Sequence, residues 1–184
     1  VLSASLSSNR AIVSQLVTIY PIDFNIEAYK VVFGDGGMLY SLFFTVILVL
    51  VYAVLALSVT VLAAYALSRK RVKGRKVIML VMVFTMYFSG GLIPDYMLIK
   101  DLHLLNTPYA LVLPSLMSVF NMIILKSFFE NLPESLEEAA YLDGCNDLQI
   151  LLKIMLPLSK PALATIALLY AVFRWNYFQD ALFY

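Results

Sequence analysis

The chain has little charge, one cysteine and one histidine. Charged residues make up 14% of its 184 residues, whereas a soluble domain has about 25%. Cys145 alone cannot form an internal disulfide, and together with His103 it falls short of the roughly four ligands of a structural zinc site. A net charge of +1 gives no electrostatic reason to expect a nucleic-acid partner.

Apolar side chains are what the chain has in excess. Hydrophobic residues make up 62% of the sequence, whereas a soluble domain has about 45–50%. A soluble core of this size cannot bury so much apolar surface, so the surplus must face lipid or other helices. This composition excludes an ordinary soluble enzyme and a disordered chain.

Charge-free stretches predict four membrane helices. The first lies between Asp35 and Arg69 and exceeds the roughly 20 residues that a membrane helix needs. Pro114 should kink the third helix. Neighbouring helices would then have to supply a hydrogen bond to the backbone carbonyl that the proline leaves free. The predicted fold is an all-α, polytopic membrane helix bundle with spans near 38–67, 77–97, 108–127 and 159–181.

The basic residues predict the orientation of these spans. The loop 69–76, which we call the basic loop, has six basic residues and no acid. Such loops stay in the cytoplasm. Because successive spans cross the membrane in opposite directions, residues 1–37 are then an extracytoplasmic segment and residues 128–158 lie in the cytoplasm. The transmembrane core is 38–184.

The same alternation puts both ends of the sequence outside. The first residues lack the features of a signal peptide. We therefore expect a fragment of a longer membrane protein that lacks one membrane helix at each end. The alternative is a complete four-helix protein with both ends outside.

The cytoplasmic stretch between the third and fourth spans predicts a helix, a turn and a second helix. Asn131 can cap the first helix, with Pro133 in its first turn and Glu134 completing a capping box. Gly144 can adopt the left-handed conformation that ends a helix. Asn146 or Asp147 can cap the second helix.

The second helix is predicted to be amphipathic and to end at Pro157, which bends the chain into the last span. One face would present four apolar residues: Leu148, Leu151, Leu152 and Met155. Such a unit fits a docking element for another protein. It equally fits a helix lying on the bilayer surface.

Twenty positions of this stretch resemble the EAA loop of binding-protein-dependent ABC importer permeases. The matching residues are Glu138-Ala139-Ala140, Gly144, Ile154 and Leu156-Pro157, with Asp143 in the EAA-x-x-DG form. Cys145 stands where a small alanine is common. Longer segments, including FSGGLIPDYMLIKDLHLLNTPYALVLP and LPLSKPALATIALLYAVFRWN, are similar to carbohydrate-uptake permeases of the maltose-transporter type, in the oligosaccharide and polysaccharide branch.

This resemblance implies a multi-pass permease subunit of the bacterial plasma membrane, with the EAA loop at about 131–157 acting as the coupling helix on a cytoplasmic ATPase. Glu138 would pair with a basic group of that ATPase. The implied partners are an ATPase dimer, a second and non-identical permease, an extracytoplasmic solute-binding protein and membrane lipid. The chain has no G-x-x-x-x-G-K run, so ATP and Mg would be bound by the ATPase, with no cofactor on this chain.

Polar and aromatic residues within the spans predict a substrate path. Trp175 and Gln179 lie four apart in the last span, as do Asn176 and Asp180. An aromatic plane beside amide groups suits a sugar, and Tyr87 and Asn121 in other spans could join them. The alternative is an outer interface, with Trp175 in the aromatic belt and Arg174 snorkelling.

The predicted function is therefore that of a permease in an ATP-driven importer of a carbohydrate, an oligosaccharide, delivered by an extracytoplasmic binding protein. The alternative keeps the importer but changes the solute to a peptide, a polyamine or phosphate. A membrane enzyme would need paired catalytic groups at the membrane face. A passive channel would need no docking loop and no ATPase.

Overall fold

The computed structural model describes residues 2–15, 18–34, 36–88 and 90–184, and its regular elements over these residues are all helical. The all-α prediction is therefore confirmed. In chain order the helices are α1 (Leu2–Ser5), α2 (Asn9–Val13), α3 (Glu27–Gly34), α4 (Gly36–Ser68), α5 (Arg75–Tyr87), α6 (Leu92–Asp101), α7 (Pro108–Val112), α8 (Val119–Glu130), α9 (Glu134–Leu142), α10 (Asp147–Ile150), α11 (Leu156–Leu158), α12 (Lys160–Asn176) and α13 (Gln179–Phe183). A 3₁₀ turn at Leu113–Ser115 follows α7, and a π-helical turn at Leu151–Met155 joins α10 to α11.

The chain divides into two compact units, Val1–Ile47 and Leu48–Tyr184. In the first unit, short helices are held by side-chain caps. The Ser8 hydroxyl accepts a hydrogen bond from the Ala11 N–H, and the Asn25 side-chain Oδ1 accepts one from the Glu27 N–H at 2.7 Å. These bonds satisfy N–H groups that the first turn of a helix leaves free.

Helix α4 is the one described helix that is long and apolar enough to cross a membrane unbroken. Its 33 residues extend about 50 Å, and its most apolar window has a mean hydropathy of 2.8. The predicted span at 38–67 agrees with its bounds to within two residues.

The other candidate spans are bent pairs of helices, and counting each pair as one span gives up to four. The second pair, α7 with its 3₁₀ turn and α8, is bent by 50°. Pro114 lies in that turn, so the predicted kink is confirmed. Ser118 then restarts the helix, because its side chain accepts a hydrogen bond from the Asn121 N–H.

The predicted last span, 159–181, is interrupted. Helix α12 ends at Asn176, and α13 begins only at Gln179. Tyr177 has an extended backbone, with φ −92° and ψ 95°. The predicted pairing of residues four apart across this point is wrong, because no continuous helix joins residue 175 to 179 or 176 to 180.

The core of the second unit lies where α4, α8 and α12 meet. Its side chains are large and almost completely buried, including those of Tyr52, Met122, Leu125, Phe129, Ile166 and Tyr170. The Tyr170 hydroxyl bonds to Thr60 Oγ1 at 2.6 Å and accepts the Ser118 N–H at 3.0 Å. One hydroxyl therefore joins α4, the start of α8 and α12.

Candidate functional site

The stretch Glu130–Leu158, here called the acidic segment, folds as the predicted helix, turn and second helix. Helix α9 ends in a Schellman motif, in which the N–H of Gly144 bonds to Tyr141 O and the N–H of Cys145 to Ala140 O at 2.9 Å. Gly144 has a φ of +81°, and among the described residues no heavy atom beyond its chain neighbours lies within 4 Å of where a β-carbon would be. Backbone conformation, and not space, requires glycine here.

The predicted start of α9 needs a correction. Asn131 does not cap this helix, because α8 extends to Glu130 and Asn131 is its C-terminal cap. The Asn131 side-chain amide donates to Ser127 O at 2.9 Å. Pro133 is the N-cap residue of α9 and makes no side-chain capping bond. Glu134 and Glu137 lie in the first turn, where negative charge interacts favourably with the helix dipole and stabilises the helix.

The second helix starts at the predicted cap. Asn146 and Gln149 form a reciprocal capping box, with each side-chain oxygen accepting the other's backbone N–H at 2.9 Å. The helix then widens into the π-helical turn. Pro157 has no N–H and its ring crowds the carbonyl four residues earlier, which accounts for this turn. The chain then bends by 86° into α12.

The predicted apolar face of the second helix is only partly buried. Leu151 and Met155 are buried, as is Ile150, but Leu148 and Leu152 are 57% and 54% exposed. Leu148 and Leu152 lie one turn apart, as do Leu151 and Met155, so the side of the helix that packs into the core is the one toward Ile150 and Leu151. The exposed leucines, with Leu142 at 89% exposed, leave apolar surface on the acidic segment.

Ion pairs join the basic loop to the acidic segment. Arg69 pairs with Glu137, Lys70 with Glu134, and Arg71 with Asp147, which also accepts a hydrogen bond from the Tyr141 hydroxyl. At the start of α5, Arg75 lies 3.7 Å from Glu130. Sequence reasoning missed this set, because the partners are far apart in the chain and no local pattern links them.

These ion pairs differ strongly in burial. The Arg69 and Glu137 side chains are 12% and 14% exposed, whereas those of Lys70 and Glu134 are 74% and 65% exposed. Burial lowers the pKa of the Arg69 guanidinium, which still stays charged at neutral pH. The hydrogen bond from Lys70 lowers the pKa of the Glu134 carboxyl. The exposed pair is expected to contribute little to stability.

The EAA residues lie on different surfaces of the acidic segment. Glu138 and Ala139 are exposed, whereas Ala140 is 4% exposed and packs in the core. Among the described residues, no partner for the Glu138 carboxylate is found within ion-pair distance. The other EAA residues are Asp143, the C-cap of α9, and Ile154, Leu156 and Pro157 around the π-helical turn.

The predicted substrate-path residues do not form one cluster. Asn121 is 7% exposed and lines a cavity of about 360 Å³ with Tyr170 and Phe173. Gln179 lines another, of about 470 Å³, with Asp95, Asp180 and Tyr184. The remaining three lie at the surface: Trp175 and Tyr87 are 52% and 76% exposed, and the exposed Asn176 side-chain amide donates to Val172 O.

Arg174 does not snorkel to the surface. It is 4% exposed, its Nη1 lies 3.0 Å from Asp180 Oδ2, and its guanidinium faces the Tyr52 ring at 6.0 Å. The ion pair bridges the break between α12 and α13. Among the described residues, no group of three His, Cys, Asp or Glu side chains could hold a metal ion.

The helix–turn–helix, the one to four candidate spans and the EAA spacing are together typical of a transport component of the inner membrane. Residues 76–179 match the family described as the binding-protein-dependent transport system inner membrane component. The chain belongs to this family, whose members are permease subunits of the bacterial plasma membrane and not enzymes.

Among its relatives is the polygalacturonan/rhamnogalacturonan transport system permease protein YtcP of Bacillus subtilis, which is 44% identical over all 184 residues. Another is the diacetylchitobiose uptake system permease protein NgcG of Streptomyces coelicolor, 30% identical over 97% of the chain and 60% of NgcG. A solved bacterial ABC transporter for import of the acidic polysaccharide alginate matches 95% of the chain, with 40% identity and a TM-score of 0.82. The chain spans 64% of YtcP and 62% of the matching alginate-transporter chain.

Proposed function

We propose that this chain is the transmembrane permease subunit of an ATP-driven importer of an oligosaccharide, delivered by an extracytoplasmic binding protein. The observation that supports this most directly is the acidic segment. It is a helix–turn–helix with exposed apolar side chains and an exposed carboxylate at Glu138, which has no ion-pair partner among the described residues. Membership of the permease family and the names of the relatives support the carbohydrate over a peptide, a polyamine or phosphate.

In this proposal α9 is the coupling helix and docks in a cleft of a cytoplasmic ATPase dimer. Glu138 meets a basic group of the ATPase, and the exposed Leu142, Leu148 and Leu152 supply apolar contact. A charged group that specifies orientation, together with apolar groups that exclude water, is the usual composition of a protein interface. Gly144 sets the turn, and the segment around Pro157 transmits its displacement to α12.

The same proposal assigns ATP and Mg to the ATPase and no cofactor to this chain. The second permease subunit is non-identical, and it supplies the rest of the translocation path. Trp175, Asn176, Gln179, Tyr87 and Asn121 are proposed to line the path. The cavities next to Asn121 and Gln179 support those two, and the exposure of the other three leaves them available to contact the second subunit or lipid.

The proposed cargo is an oligosaccharide of an acidic polysaccharide. Two proteins at least 40% identical to this chain support this choice. One is named for polygalacturonan and rhamnogalacturonan transport, and the other for import of the acidic polysaccharide alginate.

The first test is a mild-detergent purification of the tagged full-length protein from its native cells, with co-purifying chains identified by mass spectrometry. A P-loop ATPase and a second permease are expected, and Glu138→Lys should lose the ATPase. Asp101→Lys, a charge reversal of an exposed aspartate on α6, is the control and should retain the ATPase. Purification of the protein alone, or an unchanged ATPase yield with Glu138→Lys, would overturn the proposal.

The cargo is tested on the purified complex with its binding protein in proteoliposomes. Oligogalacturonate should stimulate ATP hydrolysis, whereas a neutral maltooligosaccharide of equal length should not. Stimulation by the neutral sugar alone would contradict the acidic class. Stimulation by a peptide or a polyamine alone would contradict a carbohydrate cargo altogether.

A further inference from the structure

The partly buried ion pair between Arg69 and Glu137 suggests a second connection between the acidic segment and the membrane helices. The chain itself connects α9 to α12 through Pro157. Arg69, which directly follows the last residue of α4, provides a non-covalent route from α9 to α4. The two routes reach different membrane helices.

Arg69 contacts more than one element. Its guanidinium lies 4.4 Å from the centroid of the Tyr65 ring, and that ring packs edge-on against Phe129 near the end of α8. Phe129 is 2% exposed and Tyr65 is 7% exposed, so both are part of the core. Through Arg69 and Tyr65, the carboxylate of Glu137 on α9 is thereby connected to the ends of both α4 and α8.

The stability of the fold does not by itself explain this arrangement. The Nε and Nη2 atoms of Arg69 are buried and have no hydrogen-bond partner among the described residues. Unbonded buried donors destabilise a fold, and an ion pair withdrawn from water is weak evidence for stability. Apart from stability, the best-supported role of such a pair is to fix the orientation of one structural element on another.

Adjacent glutamates of α9 therefore differ in their surroundings. Glu137 is 14% exposed and bound within the chain, whereas Glu138 is exposed. We propose that Arg69 is a positioning residue for coupling: its ion pair with Glu137 makes α9 and the end of α4 move as one body when Glu138 is engaged by the ATPase. This inference depends on the proposed coupling function.

The proposal is tested in the full transporter reconstituted with its ATPase and binding protein. Arg69→Gln and Glu137→Gln should each lower the sugar imported per ATP hydrolysed about tenfold, a size typical of coupling between sites. The double variant should be no worse than either single variant. The yield of assembled complex, measured in parallel, should stay near wild type.

The matched control is the exposed pair between the same two elements. Lys70→Gln and Glu134→Gln should change import per ATP less than about twofold, since exposed pairs contribute little. Equal effects of the exposed and the partly buried pair would overturn the proposal, as would additive losses at Arg69 and Glu137. Glu138→Lys reports separately on the coupling function, because it removes ATPase binding, whereas Arg69→Gln should not.

A cross-link makes the proposal testable even if the glutamine variants assemble poorly. In a Cys145→Ala background, Arg69→Cys with Glu137→Cys should import poorly until the two thiols are joined by a short bis-maleimide. The tether replaces the ion pair, so import should recover. If the tether leaves import low or lowers it further, α9 and the end of α4 do not move as one body.

Discussion

Among single residues, Gly144 and Asp180 allow the sharpest statements about stability. Gly144 has open space around its missing β-carbon but a positive φ, so a substitution there meets backbone strain alone. Asp180 is the partner of a buried arginine, so a substitution there leaves a charge without compensation. The two positions therefore separate conformational cost from electrostatic cost.

Gly144→Ala should loosen the acidic segment by about 1–2 kcal/mol, the cost of a left-handed conformation in a residue with a β-carbon. Gly144→Asn should cost less, because asparagine tolerates this conformation. Hydrogen–deuterium exchange of peptides over 134–150 measures the effect. Gly36→Ala is the control, since no heavy atom of the described residues beyond its own local backbone lies within 4 Å of its β-carbon position, and its φ is ordinary. Identical exchange in all three variants would contradict the argument.

Asp180→Asn should destabilise the protein by about 3 kcal/mol, because breaking a buried pair leaves the Arg174 charge uncompensated. The measurement is thermal unfolding of the full-length protein in detergent. Asp101→Asn makes the same chemical change at an exposed position and should leave the unfolding temperature nearly unchanged. An equal shift in the two variants would show that the burial of Arg174 is not the cause.

At the scale of helices, contacts at the Tyr170 hydroxyl join three elements. Tyr170→Phe should cost about 1–3 kcal/mol, because the Ser118 N–H and the Thr60 hydroxyl lose a buried partner. Tyr109→Phe, at a residue 65% exposed, is the control and should be nearly neutral. Thermal unfolding again measures both. A cost at Tyr109 equal to that at Tyr170 would contradict the role of the buried hydroxyl.

Helix ends were predictable where one residue type decides them. Pro114, Gly144 and Asn146 act through their own backbone or side chain, and the structure confirms each. Asn131 was not predictable in the same way, because its role depended on how far α8 extends. The exposure of Leu148 was not predictable either, because the spacing of apolar residues places them on one face but does not reveal which of them pack against the rest of the chain.

At the scale of the whole chain, composition was sufficient to predict an all-α membrane protein, because a long charge-free stretch has few stable structures other than a membrane helix. The EAA spacing was sufficient for the family. The ion pairs between the basic loop and the acidic segment and the pair at Arg174 were not predictable, since they join residues brought together only by packing. The roles of the EAA and substrate-path residues stay predictions.

The ion pairs also constrain the topology. Because Arg69, Lys70 and Arg71 pair with residues of the acidic segment, the basic loop and that segment must lie on the same side of the membrane. The count of basic residues then predicts which side that is, the cytoplasm. The loop after α6 should be on the other side.

Cysteine labelling of the full-length protein in a Cys145→Ala background checks this orientation. Leu102→Cys, at a residue 57% exposed, should react with a membrane-impermeant maleimide added to intact spheroplasts. Lys73→Cys, which keeps five of the six basic residues, should react only after the membrane is opened. Labelling of Lys73→Cys from outside would invert the topology. The acidic segment would then face away from any cytoplasmic ATPase, and the coupling function would fail with it.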